Sequence, residues 1–241
     1  MTRLILALQL MTRLPLPNVG ADESDFAAAM RWFPATGIAV GVTVAGAMTI
    51  GVQSDPWIAA LLGLIAWVAI TGALHLDGLG DIADGAGAAH RDRVKLSAVL
   101  ADPHIGSFGV VAITLQLLAK LVLLRLCAEH VPLLALLFVP FVARIGPLAW
   151  TLWLPPLHQG LASRFREGIG AVHLVGWATL AAALCFFVPA LMSAALFILL
   201  WGLWLRSRIG GISGDGHGAG IELVESGLLA VLVLAALVLA R

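Results

Sequence analysis

Apolar stretches bounded by charged residues, Pro or Gly recur along the whole chain. A helix crosses a hydrocarbon core of roughly 30 Å with about 20 mainly apolar residues. On this basis we predict seven crossings, at residues 35–52, 57–74, 105–127, 132–154, 172–188, 190–205 and 223–240. Pro189 interrupts the apolar stretch 172–205, which fits either a tight helical hairpin or one long kinked helix, so six crossings is the alternative. The pattern predicts an all-α, polytopic integral membrane helix bundle.

The composition strengthens this prediction. Of the 241 residues, 61% are hydrophobic and 12% are charged, and the mean hydropathy is +1.01, whereas soluble domains are about 45–50% apolar. The 14 basic and 14 acidic residues balance, which leaves no broad basic surface of the kind that nucleic-acid binding needs. We find no linker, low-complexity segment or clear repeat, and we treat residues 1–241 as a single transmembrane catalytic domain.

Most Lys and Arg residues fall on one side of the predicted bundle. In chain order they are Arg3, Arg13, Arg31, Arg91, Arg93, Lys95, Arg164, Arg166, Arg206 and Arg208. Because cytoplasmic loops retain positive charge, we predict that this side and the amino terminus face the cytoplasm and that the carboxyl terminus lies outside. Residues 1–13 favour a short helix in the membrane interface. The lipid bilayer is therefore the first predicted partner.

Three aspartates lie at the predicted cytoplasmic end of the second span. Asp77, Asp81 and Asp84 stand at positions i, i+4 and i+7, which places them within an arc of about 60° on one helix face. On a solvated acidic face we would expect Lys or Arg between the aspartates to offset their repulsion, but the residues between them are Gly, Leu, Ile and Ala. Divalent cations would offset it, and all-oxygen ligands favour Mg²⁺ or Mn²⁺. The spacing predicts a metal site and makes these aspartates the first catalytic candidates.

Glycines and one histidine accompany the aspartates. Gly78, Gly80, Gly85 and Gly87 remove side-chain bulk, which would let a phosphate or a second helix approach closely. His75 is a candidate base or phosphate contact, and a structural hydrogen-bond partner is the alternative.

A second polar cluster opens the third span. Asp102, directly before Pro103, is a candidate catalytic residue and metal ligand. It is equally suited to cap the helix that follows. Arg91, Arg93 and Lys95 lie between the two aspartate clusters and are candidates for holding substrate phosphates, although retention of positive charge in a cytoplasmic loop also explains them.

A third cluster is the glycine-rich segment 210–225, ahead of the last span. A glycine-rich loop that runs into a helix start presents backbone N–H groups to an anion, so Gly214 and Asp215 are candidates for binding a phosphate. Asp215 and Glu222 are also candidate metal ligands. A flexible interhelical loop, with Glu222 favouring the amino end of the last helix, is the alternative.

Two basic residues are predicted deep inside spans. Lys120 and Arg144 lie in the third and fourth crossings, where an unpaired charge costs at least about 2.5–3.5 kcal/mol. We therefore expect both to face the bundle interior and to contact an anionic substrate or bridge to the aspartates. A shift of the span boundaries is the alternative.

Taken together, these segments resemble the cobalamin synthase family, the adenosylcobinamide-GDP ribazoletransferases. The landmarks that carry the resemblance run in order along nearly the whole chain. They are Leu14-Pro-Leu-Pro17, Phe33-Pro34 with Gly37, His75-Leu-Asp77-Gly-Leu-Gly-Asp81-Ile-Ala-Asp84-Gly85, Asp102-Pro-His-Ile-Gly106-Ser-Phe-Gly109, Gly160-Leu-Ala with Phe165, and Ser213-Gly-Asp215 with Gly218-Ala219 and Glu222. Gly80, Gly87 and Gly216-His217 depart from the family pattern but leave the aspartates untouched.

The resemblance implies a specific reaction. A ribose hydroxyl of α-ribazole, or of its 5′-phosphate, attacks the cobinamide-proximal phosphorus of adenosylcobinamide-GDP and expels GMP. It also implies dependence on Mg²⁺, with Asp77, Asp81 and Asp84 as metal ligands and Asp102 and Asp215 as further ligands or proton acceptors. A bacterial inner membrane location, and either a homo-oligomer or association with other cobalamin-assembly enzymes, are further expectations.

Two other functions stay open at this stage. A CDP-alcohol phosphotransferase also uses spaced aspartates in membrane helices, but its pattern is only partly matched by Asp81-Ile-Ala-Asp84-Gly85, because no second Asp-x-x-x-Asp follows. A cation or metabolite transporter would explain the charges at Lys120 and Arg144. Transporters often contain duplicated halves, and the chain shows no such duplication.

Overall fold

The computed structural model describes residues 1–88, 93–157 and 161–240, with the side chains of all of these except residues 93–95 and 161–163. This described part forms fourteen α-helices. They are α1 Thr2–Met11, α2 Glu23–Ala29, α3 Phe33–Gly51, α4 Pro56–Thr71, α5 Leu74–Ala88, α6 Arg93–Leu100, α7 Ser107–His130, α8 Leu133–Leu136, α9 Val139–Ala143, α10 Gly146–Trp153, α11 Leu161–Gly168, α12 Ala171–Cys185, α13 Ser193–Arg208 and α14 Gly214–Leu239. Short 3₁₀ turns cover Met30–Trp32 and Pro189–Met192. One isolated bridge, Pro156 to Ile212, is the extended pairing found in that part, so the all-α prediction is confirmed.

The polytopic membrane character is confirmed by helix length and composition. Five helical stretches of the described chain are long and apolar enough to cross a membrane: Glu23–Gly51, Ser107–His130, Leu133–Trp153, Pro189–Arg208 and Gly214–Leu239. The bent pair α4 and α5 makes a sixth if it counts as one span. Helix α12 coincides with the predicted crossing 172–188 but has 15 residues, fewer than the about 20 that a crossing needs. The described chain therefore has five or six candidate crossings and not the seven predicted. Six is also the number of the kinked-helix alternative, but the stretch 172–205 forms two helices, α12 and α13, in place of one.

The surface of the bundle is apolar where lipid would contact it. Along α7, the side chains of Val110, Val111, Leu115, Leu118 and Val122 are all exposed. A soluble protein rarely exposes such a continuous apolar surface, whereas lipid tails solvate it. The opposite side of the same helix is buried against α4, α5 and α14.

A sharp turn after α4 redirects the chain toward the aspartates. Gly72 adopts a left-handed conformation (φ 60°) and ends α4, with its N–H donating to Ala69 and that of Ala73 donating to Val68. This is a Schellman-type helix end, which favours glycine at the left-handed position. The axes of α4 and α5 meet at 84°. The predicted span 57–74 therefore ends at Thr71, and the aspartates begin a new helix.

The predicted glycine-rich loop before the last span is wrong over residues 214–220, which form the first turns of α14. Glycine lets this helix start approach its neighbours closely, because an added Cβ at Gly218 would lie 3.2 Å from the Cα of His75. At Gly220, an added Cβ would lie 2.5 Å from the indole Nε1 of Trp201. Tertiary packing thus overrides the low helix propensity of glycine.

The fourth predicted span is helical but broken into α8, α9 and α10. Among the five continuous candidate spans of the described chain it is the most buried, with 72% of its most apolar window inside the protein. The last break lies at Arg144 and Ile145, before α10 begins. The broken backbone is tolerated because neighbouring protein surrounds it.

Candidate active site

Helix α5 carries the three predicted aspartates in three different environments. Asp77 is exposed, Asp81 is half-buried and Asp84 is 7% exposed. The helix is packed against α7 and α14, so successive turns of its acidic side pass from solvent into the bundle. The spacing predicted a helical acidic face, and α5 confirms the helix. The shared environment is not observed, because burial separates Asp84 from Asp77.

Asp84 holds the start of α7. Its Oδ2 accepts a hydrogen bond from the backbone N–H of Gly106 at 2.7 Å, and its Oδ1 accepts one from Gly109 at 3.0 Å. A carboxylate at this position satisfies N–H groups that have no partner within the helix and interacts favourably with the helix dipole. Both oxygens of Asp84 are therefore engaged by protein, which makes its predicted role as a metal ligand beside Asp77 and Asp81 a poor fit.

The prediction that Asp102 caps α7 is wrong. Its Oδ1 instead accepts from the backbone N–H of His104 at 3.0 Å and lies 2.7 Å from Nδ1 of the same residue. The backbone hydrogen bond from His104 and, next, the bond from the His104 ring lower the pKa of Asp102 below its usual range. Asp102 is exposed, and its described hydrogen bonds hold the turn before α7.

Asp81 lies among carboxylates. Burial is the strongest effect that disfavours a negative charge on the Asp81 carboxylate, and the negative charges of Asp215, Asp77 and Asp84 follow in that order. Asp215 comes from the first turn of α14, whose backbone touches α5, because a Cβ added to Gly78 would lie 2.8 Å from the Cα of Asp215. The absence of a side chain at Gly78 thus allows α14 to approach α5 closely, as predicted, and this approach adds the carboxylate of Asp215 to the site.

The partly exposed carboxylates of α5 and α14 could bind a hard cation such as Mg²⁺ if substrate and water supply the remaining ligands. Within the described ranges, no three His, Cys, Asp or Glu side chains converge closely enough to hold one ion. Mg²⁺, however, commonly binds through one or two carboxylates, several waters and the phosphates of a substrate. Asp77, Asp81 and Asp215 offer oxygen ligands at a partly exposed surface. They suit a site that substrate completes, and they do not form a closed protein cage.

The predicted roles of Lys120 and Glu222 are corrected by their contacts. Lys120 Nζ lies 2.8 Å from Glu222 Oε2 and 2.7 Å from Glu225 Oε2. It also stands over the ring of Trp67, 4.2 Å from the centroid. Glu222 accepts a further hydrogen bond from Gln116 at 2.8 Å. Both charges are 2% exposed, so Lys120 does not bridge to the aspartates and Glu222 does not join them as a metal ligand.

Arg144 belongs to the same buried network. Its NH1 donates to Glu225 Oε1 at 2.8 Å and to the carbonyl of Pro140 at 3.0 Å. The side chain is fully buried, which excludes the predicted contact with an anionic substrate in this conformation. The expectation that Arg144 faces the bundle interior is confirmed, and its partner is Glu225, about three turns beyond the start of α14.

The two histidines near the site are buried. His75 is 2% exposed, and neither ring nitrogen has a hydrogen-bond partner among the described residues. His75 is therefore too buried for the predicted role as a base or phosphate contact, and it does not make the structural hydrogen bond that was the alternative. His217 packs against Trp150, with centroids 6.1 Å apart, and its Nε2 lies 3.2 Å from Thr151 Oγ1.

Gly214 is the first residue of α14 and is exposed. Ser213 caps this helix, because its Oγ accepts from the N–H of Gly216 at 3.1 Å. The N–H of Gly216 is therefore bonded to Ser213, although the sequence predicted that the N–H groups at this helix start would bind a phosphate. Of the three predicted phosphate-holding basic residues, Arg91 lies outside the described residues, as do the side chains of Arg93 and Lys95.

Arg13 is a basic residue near the site that the sequence did not single out. Its backbone N–H donates to the carbonyl of Ile70 at 2.7 Å, and its exposed side chain lies against Gly72. The turn that starts α5 thus holds a guanidinium close to the helix of aspartates. No local pattern signals this placement, because the contact depends on the 84° turn between α4 and α5.

Comparison with known proteins identifies the family. The family model of cobalamin-5-phosphate synthase matches residues 3–234. An adenosylcobinamide-GDP ribazoletransferase of Novosphingobium aromaticivorans is 59% identical over 229 residues, which cover 93% of each chain. Proteins of the same name from Thiobacillus denitrificans and Brevibacillus brevis are 47% identical, over 95% of this chain and 94% of the relative, and 34% identical, over 94% and 96%. No solved structure matches significantly. The resemblance expected from the sequence is confirmed, and the chain belongs to the cobalamin-5-phosphate synthase family.

Proposed function

We propose that this chain catalyses the adenosylcobinamide-GDP ribazoletransferase reaction. A hydroxyl of α-ribazole, or of its 5′-phosphate, attacks the cobinamide-proximal phosphorus, the bond from that phosphorus to the GMP oxygen breaks, and GMP leaves. The proposal is supported by the family match over residues 3–234 and by relatives of this name that align over nearly their whole length. The family assignment favours this function over a CDP-alcohol phosphotransferase and over a transporter.

The main structural support for this chemistry is the contact between α5 and α14, which brings partly exposed aspartates of the two helices close together. The negative charges of Asp215, Asp77 and Asp84 repel a negative charge on Asp81, and Asp77 is exposed to solvent. Asp77 and Asp215 would hold Mg²⁺, with Mn²⁺ as a substitute, which leaves Asp81 for proton transfer. When bound, the metal would offset negative charge on the phosphate oxygens.

The protein's own groups bind and orient the reactants. A carboxylate can accept the proton of the attacking hydroxyl, and we assign this role to Asp81, because a proton there relieves repulsion from its neighbours. Arg13, held beside Gly72, is placed to bind a phosphate of the nucleotide. Asp84 keeps the start of α7 against α5, which fixes the wall of the site.

The location follows from the charge distribution. We propose a bacterial inner membrane enzyme whose active side faces the cytoplasm, because Arg206 and Arg208 end α13 just before Asp215 begins the site on α14. Positive charge marks cytoplasmic segments. A homo-oligomer or an assembly with other cobalamin-forming enzymes stays a prediction.

The test incubates the purified, detergent-solubilised chain with adenosylcobinamide-GDP and α-ribazole and follows GMP by chromatography. We expect GMP release that requires α-ribazole, stops with EDTA and returns with Mg²⁺. GMP release without α-ribazole would indicate hydrolysis in place of transfer. Absence of GMP with both substrates and Mg²⁺ would overturn the proposed function, whereas full activity in EDTA would overturn the metal assignment alone.

A further inference from the structure

A groove of about 790 Å³ lies between the amino-terminal helices and α12, and its lining includes none of the aspartates of α5 and α14. One wall comes from α1, α2 and the Met30–Trp32 turn, and the other from α12. Helix α12 buries a single residue, Ala181, so most of its length is uncovered by protein. The groove is therefore a separate feature of the bundle, and its chemistry changes along its length.

The end of the groove near the start of α12 is basic. Arg3 donates from Nε to Asp25 Oδ1 at 2.8 Å, and Arg31 donates from Nε to the carbonyl of Gly168. These bonds orient the two guanidinium groups, and each group has five N–H donors, so most donors stay available. Two arginines and one aspartate line this end of the groove. The same arginines also line a neighbouring pocket with Glu23, Glu167 and Arg164, so the guanidinium donors at the groove, and not a net positive charge of the region, suit a phosphate.

The rest of the groove is apolar and aromatic. Trp32 and Trp177 meet edge to face with centroids 6.1 Å apart, and the Trp177 indole N–H donates to the carbonyl of Arg31 at 2.6 Å. Beyond them, Leu180 is 46% exposed. Tryptophan with one polar and one apolar edge is typical of the level of lipid headgroups.

We propose that this groove binds one phospholipid molecule, with its phosphate at Arg3 and Arg31 and an acyl chain along α12. The basic end and Leu180 are separated by roughly 10 Å along α12, at 1.5 Å per residue from position 173, which is the distance from a headgroup into the hydrocarbon. The bound lipid covers the face of a helix that is shorter than a full crossing. The inference does not depend on the proposed reaction.

Gly176 is a position in the groove from which an added side chain can enter it. An added Cβ there meets no atom within 4 Å, and the same is true of Gly46, an exposed glycine of α3 outside the groove. Gly176→Trp is therefore the test variant and Gly46→Trp its matched control. Arg3→Gln removes one cation of the groove and leaves its apolar wall in place.

The experiment purifies each variant in mild detergent from membranes that contain phosphatidylglycerol and counts retained phospholipid by native mass spectrometry. We expect one tightly retained phospholipid in the parent and in Gly46→Trp, and loss of it in Gly176→Trp. With Arg3→Gln, retention of phosphatidylglycerol should fall about tenfold, the scale of one charge-assisted hydrogen bond.

Equal lipid retention in the parent, Gly176→Trp and Arg3→Gln would overturn the proposal. Unchanged lipid with a raised KM for adenosylcobinamide-GDP in Gly176→Trp would also overturn it and assign the groove to substrate. If Gly176→Trp does not fold, Arg3→Gln decides, because its substitution leaves the packed core unchanged.

Discussion

Helix α14 carries two groups of acidic residues that differ in everything except their charge. Asp215, in its first turn, stands with Asp77 and Asp81 at a partly exposed surface where carboxylates repel one another. Glu222 and Glu225, two to three turns further along, are 2% and 0% exposed and are paired with basic groups. The first group gathers carboxylates where solvent can reach them, whereas the second balances two glutamates against Lys120 and Arg144.

The difference reflects where each group lies. An unpaired charge inside the bilayer costs several kcal/mol, so charges there persist when they are paired and hydrogen-bonded. Near the end of the bundle, water and ions can solvate like charges, and carboxylates that solvent reaches there can bind a cationic ligand. We therefore assign stability and helix registry to the buried network, and chemistry to the aspartates. Three substitutions test this division.

Lys120→Met should have the largest effect. Without Lys120, Glu222 stays buried, and its remaining side-chain partner among the described residues is the neutral amide of Gln116. Breaking a buried ion pair in this way costs about 3–5 kcal/mol. We expect a large drop in the unfolding temperature measured in detergent. The double variant Lys120→Met with Glu222→Gln should recover most of the loss, because the remaining pair of Arg144 and Glu225 is neutral.

Arg125→Met is the matched control for this experiment, since the Arg125–Glu129 ion pair lies on the same helix but both partners are 29% exposed. Its cost should not exceed about 1 kcal/mol. Equal losses of stability in Lys120→Met and Arg125→Met would contradict the structural role of the buried network.

Asp81→Asn should leave the protein folded and reduce the rate of GMP release by about 100-fold or more, the scale of a lost general base. That corresponds to about 2.7 kcal/mol of barrier. The unfolding temperature should stay at or above that of the parent, because the amide removes repulsion from Asp77 and Asp215. Steady-state assays and thermal unfolding on one preparation measure both.

Asp55→Asn is the control, because Asp55 caps α4, accepting from Trp57 N–H at 2.7 Å, and Asn caps helices as well as Asp does. Its activity should match the parent. Near-normal turnover in Asp81→Asn would remove this residue from the chemistry.

Asp84→Ala should have the smallest free-energy effect of the three, a loss of about 0.5–2 kcal/mol of stability, because the start of α7 loses its carboxylate cap. We expect a lowered unfolding temperature together with reduced activity, since α7 forms one wall of the site. Asp84→Asn keeps one acceptor oxygen and should lose less of both. A stable but fully inactive Asp84→Ala would instead return this residue to the metal site.

The sequence alone determined the class and the family of the protein, and it predicted where the chemistry lies. Apolar stretches predicted the membrane helices because the hydrocarbon core fixes their length. The spacing of Asp77, Asp81 and Asp84 predicted an acidic helix, and α5 spans Leu74–Ala88. The order of motifs identified the family. Each of these properties depends on residues close together in the chain or on the chain as a whole.

Only the tertiary structure decided which charges meet. Asp84 caps a helix that begins 23 positions later, at Ser107, and Gln116 contacts Glu222 across 106 positions. The glycines of residues 214–220 form a helix because neighbouring backbone and aromatic rings occupy the space beside them. Burial and pairing set the role of a carboxylate, and both come from contacts between distant segments, which periodicity along one helix does not specify.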